Sequence, residues 1–271
     1  MKSSLDINLP EALETYHEAI ANTIKPYLKI DIKPNSTQWW QSKFGGLPYL
    51  PRTIDYPTNQ EGEYLKFLAQ LNFSEMPRLD NFPAQGILQF YIDSNDDMYG
   101  LDCDDQTNQD GFKIIYFDRI IENVNNLVTY FDFLEEDQDI YTPIQGEFNL
   151  SYTHYYAPIN INDAAFDRHF PNFKDDGLLD VYDTWYCQYF WIDEIVHQVG
   201  GYPNFVQDDP RCFNPEYEDY ILLLQIDSDY GRHGEANDIC WGDVGIGNFF
   251  IKPSKLKALD FSKVLYNWDC H

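Results

Sequence analysis

The feature that most constrains this chain is a corner used twice. "SKFGGLPYLP" (42–51) and "HQVGGYPNFVQ" (197–207) share a Gly-Gly-x-Pro core, and Gly45-Gly46 lies 155 residues before Gly200-Gly201. The same offset of 155 links "FLAQLN" (67–72) to "LLLQID" (222–227), and so Gln70 to Gln225. "GILQFYI" (86–92) is echoed by "GIGNFFI" (245–251) at an offset of 159, and "FKIIYF" (112–117) by "SKVLYN" (262–267) at 150, through Tyr116 and Tyr266. Four matches in one order predict an internal duplication. The expected units span about 42–117 and 197–267, with 118–196 inserted between them, all in a single compact domain over 1–271.

Glycine at each corner admits positive φ, and the proline stiffens the exit. "KFLAQLNF" and "GILQFYI" are too continuously apolar to face water on one side, so they predict central strands buried on both faces. The connections are too short for obligatory crossover helices, which predicts a mostly antiparallel sheet. Leu13, Tyr16, Ile20 and Ile24 recur at helical spacing after Pro10 and stop before Pro26, which predicts an N-terminal helix. "YLKIDIK" (27–33) and "EFNLSYTHYY" (147–156) alternate as strands. Segments 161–170 and 183–198 predict central helices with Asn162 and Asp183 as N-caps. The second would set Tyr186, Phe190 and Glu194 on one face and Trp185, Tyr189 and Ile192 beside it, closed by Gly200-Gly201. The fold class expected is mainly β (α+β).

Charge narrows the partners. The chain carries 45 acidic against 18 basic side chains, a net charge of −27. Such a surface repels nucleic-acid phosphates and anionic lipid, and it attracts cations or a basic protein. No run approaches a membrane span, and acids interrupt the N-terminal stretch where a signal peptide would be apolar, so a cytoplasmic protein is expected. Cys103, Cys187, Cys212, Cys240 and Cys270 are odd in number and lack Cys-x-x-Cys spacing, which predicts free thiols.

Three stretches bear candidate chemistry. "RHGEANDICWGDVG" (232–245) gathers His233, Glu235, Asp238, Trp241 and Asp243 among glycines. Such a loop can converge carboxylates and a stacking Trp on a ligand, or be a long corner whose Trp plugs the core. Gln70 and Gln225 need partners if their strands are buried; they face a shared cleft near a pseudo-twofold axis or bond loop backbone. In "DSNDDMYGLDCDDQTNQDG" (93–111), Asp93, Asn95 and Asp97 resemble the start of a calcium loop. Met98 stands where glycine belongs and Asp104 where a bidentate glutamate belongs, which excludes an EF-hand and leaves a solvated acidic loop or, as the one cofactor candidate, a looser Ca²⁺ site. No nucleophile elbow or phosphate loop occurs, and His154, His169 and His197 read as structural, the last two in helical segments.

The ordered set "SKFGGLPYLP", "FLAQLNF", "FPAQGILQFYI", "YGLD", "WGDVGIGNFFI" and "DFSKVLYNWDC" resembles the YwqG-like family of uncharacterised bacterial proteins, from about Leu9 to the C-terminus. That resemblance implies a roll or pseudo-barrel of duplicated β halves and carries over no catalytic residue. The function expected is a non-enzymatic acidic binding module for a basic protein partner. The alternative is a small-molecule or metal-dependent enzyme or binding site in the cleft between the repeats, around Asp238, Trp241 and Asp243.

Overall fold

The computed structural model describes residues 8–95, 97–134, 142–190, 195–233 and 238–271. Five strands precede the chain's midpoint: β1 (Lys25–Pro34), β2 (Lys43–Gly45), β3 (Lys66–Asn72), β4 (Ile87–Ile92) and β5 (Phe112–Phe117). Seven follow: β6 (Ile144–Gln145), β7 (Glu147–Ala157), β8 (His197–Gly200), β9 (Ile221–Asp227), β10 (Asp238–Ile239), β11 (Ile246–Ile251) and β12 (Leu265–Asp269). Ten of them form one antiparallel sheet, in the order β12-β11-β9-β8-β1-β7-β2-β3-β4-β5, curled into a half-barrel. β6 and β10 pair separately.

That order reads alike from either edge. The central antiparallel pair β1–β7 is flanked by β8, β9, β11 and β12 on one side and by β2, β3, β4 and β5 on the other. The long central strands are exchanged: the N-terminal β1 pairs with β8, and β7 pairs with β2. Register repeats too. Lys43 opposes Gln70 as Gln198 opposes Gln225, and Gln70 opposes Gln89 as Gln225 opposes Asn248. Leu68 and Leu223 each fall at a register shift, 155 residues apart. At the outer edge Tyr116 opposes Leu88 while Trp268 opposes Gly247, so the sheet matches Tyr116 with Trp268 rather than with Tyr266. A slip of two residues keeps every side chain on its face, so apolar pattern alone cannot distinguish the two alignments.

β3, β4, β9 and β11 are buried on both faces, as continuous apolar runs require. On the inner face the halves meet across the curl, with Phe90 on Phe249 at 4.8 Å and Phe112 on Tyr266 at 5.2 Å between ring centroids. The outer face is roofed by long connections that bring Tyr56 and Phe131 onto Phe67 and Tyr91 in one half, and Phe205 and Tyr217 onto Phe250 in the other.

The helices are shorter than expected. The N-terminal one begins as a 3-10 turn, Glu11–Tyr16, and continues as α1, His17–Asn22. α2 (Phe166–His169) is a single turn, and the Asn162 amide donates to Asn160 Oδ1, so Asn162 caps no helix. α3 (Leu179–Phe190) starts four residues before Asp183, because Tyr182, Trp185 and Tyr186 join Phe166, Phe170 and Phe173 in a satellite core. Ile192 and Glu194 lie outside the described residues. His197 is not helical: it opens β8, which has β1 to pair with, and Gly200-Gly201 closes a strand. α4 (Pro253–Lys257) links β11 to β12. Among the described residues no helix is long and apolar enough to cross a membrane.

Two of the buried glutamines, Gln70 and Gln225, fasten the corners. Gln70 Oε1 accepts from the Tyr49 amide (2.9 Å) and Gln89 Nε2 (2.7 Å), and its Nε2 donates to the Trp39 (2.9 Å) and Gln41 (2.8 Å) carbonyls. Gln225 Oε1 accepts from the Asn204 amide (2.7 Å) and Nε2 donates to the Val196 carbonyl (2.7 Å). Gln89 and Asn248 then donate to the Tyr49 and Asn204 carbonyls. Gly45, Gly46, Gly200 and Gly201 all have φ between 63° and 76°, and a Cβ on Gly45 would lie 2.2 Å from the Gly146 carbonyl oxygen. Gln70→Leu leaves several buried polar groups without partners, so it should lower unfolding free energy by roughly 2–4 kcal/mol in urea titration. A loss below about 0.5 kcal/mol, the scale of an ordinary surface change, would contradict the clamp.

Candidate functional site

The curl brings the sheet's two ends together, and a loop joins them. The β4–β5 connection leaves its own half and lies along β12: the Tyr266 amide donates to the Gln106 carbonyl (2.9 Å), and Trp268 Nε1 donates to the Met98 carbonyl (2.7 Å). Gln106 Nε2 also reaches Asn267 Oδ1, and Gln109 Nε2 the Phe261 carbonyl, both at 2.7 Å. Within the loop Asp102 Oδ1 accepts the Asp104 and Asp105 amides, and Oδ2 accepts Asn108 Nδ2. These bonds, the one from Asn108 foremost, hold the Asp102 carboxyl below its ordinary range. The acidic run is thus a set of side-chain-closed turns.

From the second half comes the chain after the Gly200-Gly201 corner. Asp269 Oδ2 accepts the Val206 (3.1 Å) and Gln207 (2.8 Å) amides. Asp209 caps the turn Pro210–Cys212. Arg211 is buried there, its guanidinium on Asp209 (2.6 Å) and Asp163 (2.8 Å), 4.9 Å above the Phe250 ring.

Between these two segments lies a cleft of about 410 Å³, lined by Asp104, Asp208, Asp269, Phe213, Tyr217 and Trp268 together with several amides and, among the described residues, by no Lys, Arg or His. Phe213 is 73 % exposed on its rim. Asp269 is 8 % exposed, yet its Oδ1 has no hydrogen-bond partner. Burial pushes the Asp269 carboxyl up, and Asp208 adds to the shift. A wider groove of about 1080 Å³ passes Tyr64, Tyr130 and Phe133. There Glu63 already accepts from Asn59 and Asn95, and Lys66 lines the wall.

The described residues singled out in 232–245 have separate partners. Trp241 is 0 % exposed and packs against Tyr99 and Trp268, and a Cβ on Gly247 would lie 2.3 Å from its ring, so it is a core plug and no platform. Asp238 Oδ1 takes the Gly231 amide (2.7 Å), and exposed Asp243 serves through its carbonyl, which accepts the His271 amide. Glu235 lies outside the described residues. Gln70 and Gln225 are spent on the clamps described above. Of the calcium candidates, Asp93 accepts from Asn59 and from the Asn95 amide, Asn95 reaches Glu63, Asp97 is exposed, and Asp104 lines the cleft. Among the described residues no group of three or more His, Cys, Asp or Glu is placed to hold a metal ion. All five cysteines are free.

One cluster escaped the sequence. His197 is 3 % exposed; its Nδ1 accepts from the Asp227 amide (3.0 Å), and its Nε2 has no partner. His233 Nε2 meets Asp229 Oδ2 at 2.7 Å, while Asp229 Oδ1 has no hydrogen-bond partner and lies 3.7 Å from Arg232 Nε. Burial lowers His197 to about 4 and raises Asp227 to about 7. The signal was a contrast at the 155-residue offset: 155 residues earlier the same bond runs from the Asn72 amide to Ser42 Oγ. Uncharged Ser and Asn stand where the second half has His and Asp.

The chain belongs to the family "Domain of unknown function (DUF1963)", whose model matches residues 42–270. No curated protein matches it.

Asp227 and His197 act oppositely on stability. With a folded pKa near 7 the native Asp227 keeps a proton that the unfolded chain releases above about 4, so stability falls as pH rises through that window. His197, held near 4, resists protonation and gives stability above about 6.5 that is lost on acidification. Asp227→Asn keeps an acceptor for the Val196 amide and removes the first effect. Its stability relative to wild type should therefore rise by roughly 1–3 kcal/mol between pH 5 and pH 8 in denaturant titrations. A difference that stays constant with pH would contradict the assignment.

Proposed function

We propose that this protein is a non-catalytic binding module that receives a basic segment of a protein partner in the cleft between the β4–β5 loop and β12. The observation that carries this reading is the cleft's chemistry: three aspartates and three aromatic rings with no basic side chain among the described residues, in a chain of net charge −27. A field of that sign accelerates the encounter with a cationic surface, and desolvated aromatic anchors then supply affinity. A cleft of about 410 Å³ is at the small end of ligand pockets and suits one or two inserted side chains. In this reading the two halves arose by duplication, fold as one unit and put the partner site at their junction. The module is YwqG-like and works in the bacterial cytoplasm.

The test uses the full chain and a synthetic basic peptide, by titration calorimetry at several salt concentrations. Log Kd should rise with log salt, and Asp104→Asn with Asp208→Asn should weaken binding about tenfold, which is about 1.4 kcal/mol. Asp243→Asn, outside the cleft, should change little. Equal effects of the cleft pair and Asp243→Asn would place binding elsewhere.

A further inference from the structure

We infer that Cys240 and Cys270 form a peroxide-sensitive thiol pair, which oxidation joins as a disulfide between the turn after β10 and the end of β12. Both thiols converge on one residue that has no side chain. Cys240 Sγ lies 3.4 Å from the Gly242 carbonyl oxygen, and Cys270 Sγ would lie 2.9 Å from a Cβ on Gly242. A side chain at 242 would enter the space that the Cys270 thiol fills, so glycine is what lets both sulfurs approach the same stretch of backbone. The Tyr99 hydroxyl gives independent support. Burial raises its pKa, its hydrogen bond with the Gly242 backbone opposes the rise, and Cys240 and Cys270 each add to it, so both sulfurs neighbour the same hydroxyl.

The backbone holds the two segments together. The Gly245 amide closes the turn on the Trp241 carbonyl, the His271 amide donates to the Asp243 carbonyl, and Ile246 opposes Asp269 across β11 and β12. Cys270 is thus held between two fixed points, against the turn that Cys240 enters. Both side chains are half-buried, within reach of a small oxidant. Cys187 and Cys212 differ: burial pushes both thiols up, with Asp183 and Asp209 adding to the shift, which keeps them protonated and slow to react.

The chemistry balances with a hydroperoxide as oxidant. One thiolate attacks the peroxide, the O–O bond breaks, and a sulfenic acid forms with release of an alcohol, or of water from hydrogen peroxide. The second thiolate attacks that sulfur, an S–S bond forms, and hydroxide leaves to become water. Two electrons pass from the sulfurs to the O–O bond, and both thiol protons end in the products. A thiol reductant reverses the step. The bond would pin the end of β12, which carries Trp268 and Asp269, to the turn after β10. Oxidation therefore stiffens one wall of the cleft.

The experiment treats the reduced full chain with hydrogen peroxide, blocks the remaining thiols with an alkylating reagent and maps the peptides by mass spectrometry. Two of the five thiols should be lost together, in one cross-linked pair of peptides that holds Cys240 and Cys270, and dithiothreitol should restore both. Indole fluorescence should change in step, since the Trp268 ring lies against Gly242 beside the Cys270 thiol. Cys240→Ser and Cys270→Ser should each abolish the cross-link, while Cys187→Ser leaves it intact. The unmutated chain carries the test by itself, so a variant that folds poorly does not decide it. A link to Cys103, a link between two chains, or separate sulfenic or sulfinic acids at 240 and 270 would overturn the pair. Survival of all the thiols through the treatment would overturn it equally.

Discussion

A buried side-chain amide has to find partners, and here two of them organise the molecule. Gln70 and Gln225 sit fully buried in apolar strands and bond the chain on both sides of a Gly-Gly-x-Pro corner. Each fixes where its corner leaves the sheet, and so where the following connection lies on the outer face. In the second half that connection runs through Asn204, Val206 and Gln207, and Asp269 at the end of β12 takes the last two amides. The wall of the cleft follows from the clamp. Without Gln225 the segment carrying Asp208 and Phe213 would lose its starting point.

The opposite wall depends on topology. Because β1 and β7 pair with each other and each borders the other's half, the sheet continues unbroken across its centre. Ten right-handedly twisted strands curl, which brings β4 and β5 towards β11 and β12 on the inner face. The β4–β5 loop then spans the gap, and Gln106 and Met98 carbonyls receive the Tyr266 amide and the Trp268 indole N–H. An acidic loop that reads as solvated surface serves as the strap of the half-barrel and carries Asp104 to the cleft.

Much of the architecture was legible. Continuous apolar runs mark β3, β4, β9 and β11, strict alternation marks β1 and β7, and positive φ at the paired glycines follows from the corners. Helix boundaries were less so. Asn162 and Asp183 have good capping chemistry, but Asn160 and the aromatic satellite core decide where the chain turns. His197 looked helical because its strand is four residues long and exists only through its pairing with β1 and β9. The site was least legible. Its residues come from three separate stretches, and Asp269 looks like any terminal acid until Val206 and Gln207 occupy one of its two oxygens. Trp241, the most conspicuous residue of its loop, is conspicuous because it fills the core beside Gly247.

Glutamine clamps set the corners, the curl brings the strap to β12, and the junction is left rich in carboxylates and rings. The most direct test follows the tryptophan indole and backbone amide signals by nitrogen–proton NMR while a basic peptide is added. Trp268 Nε1–H and the amides of Asp208, Phe213 and Asn214 should shift together with one affinity, while Trp39, beside the other groove, stays still. Shifts centred on Trp39 and Tyr130, or a diffuse change over all acidic loops, would contradict a partner site at the junction.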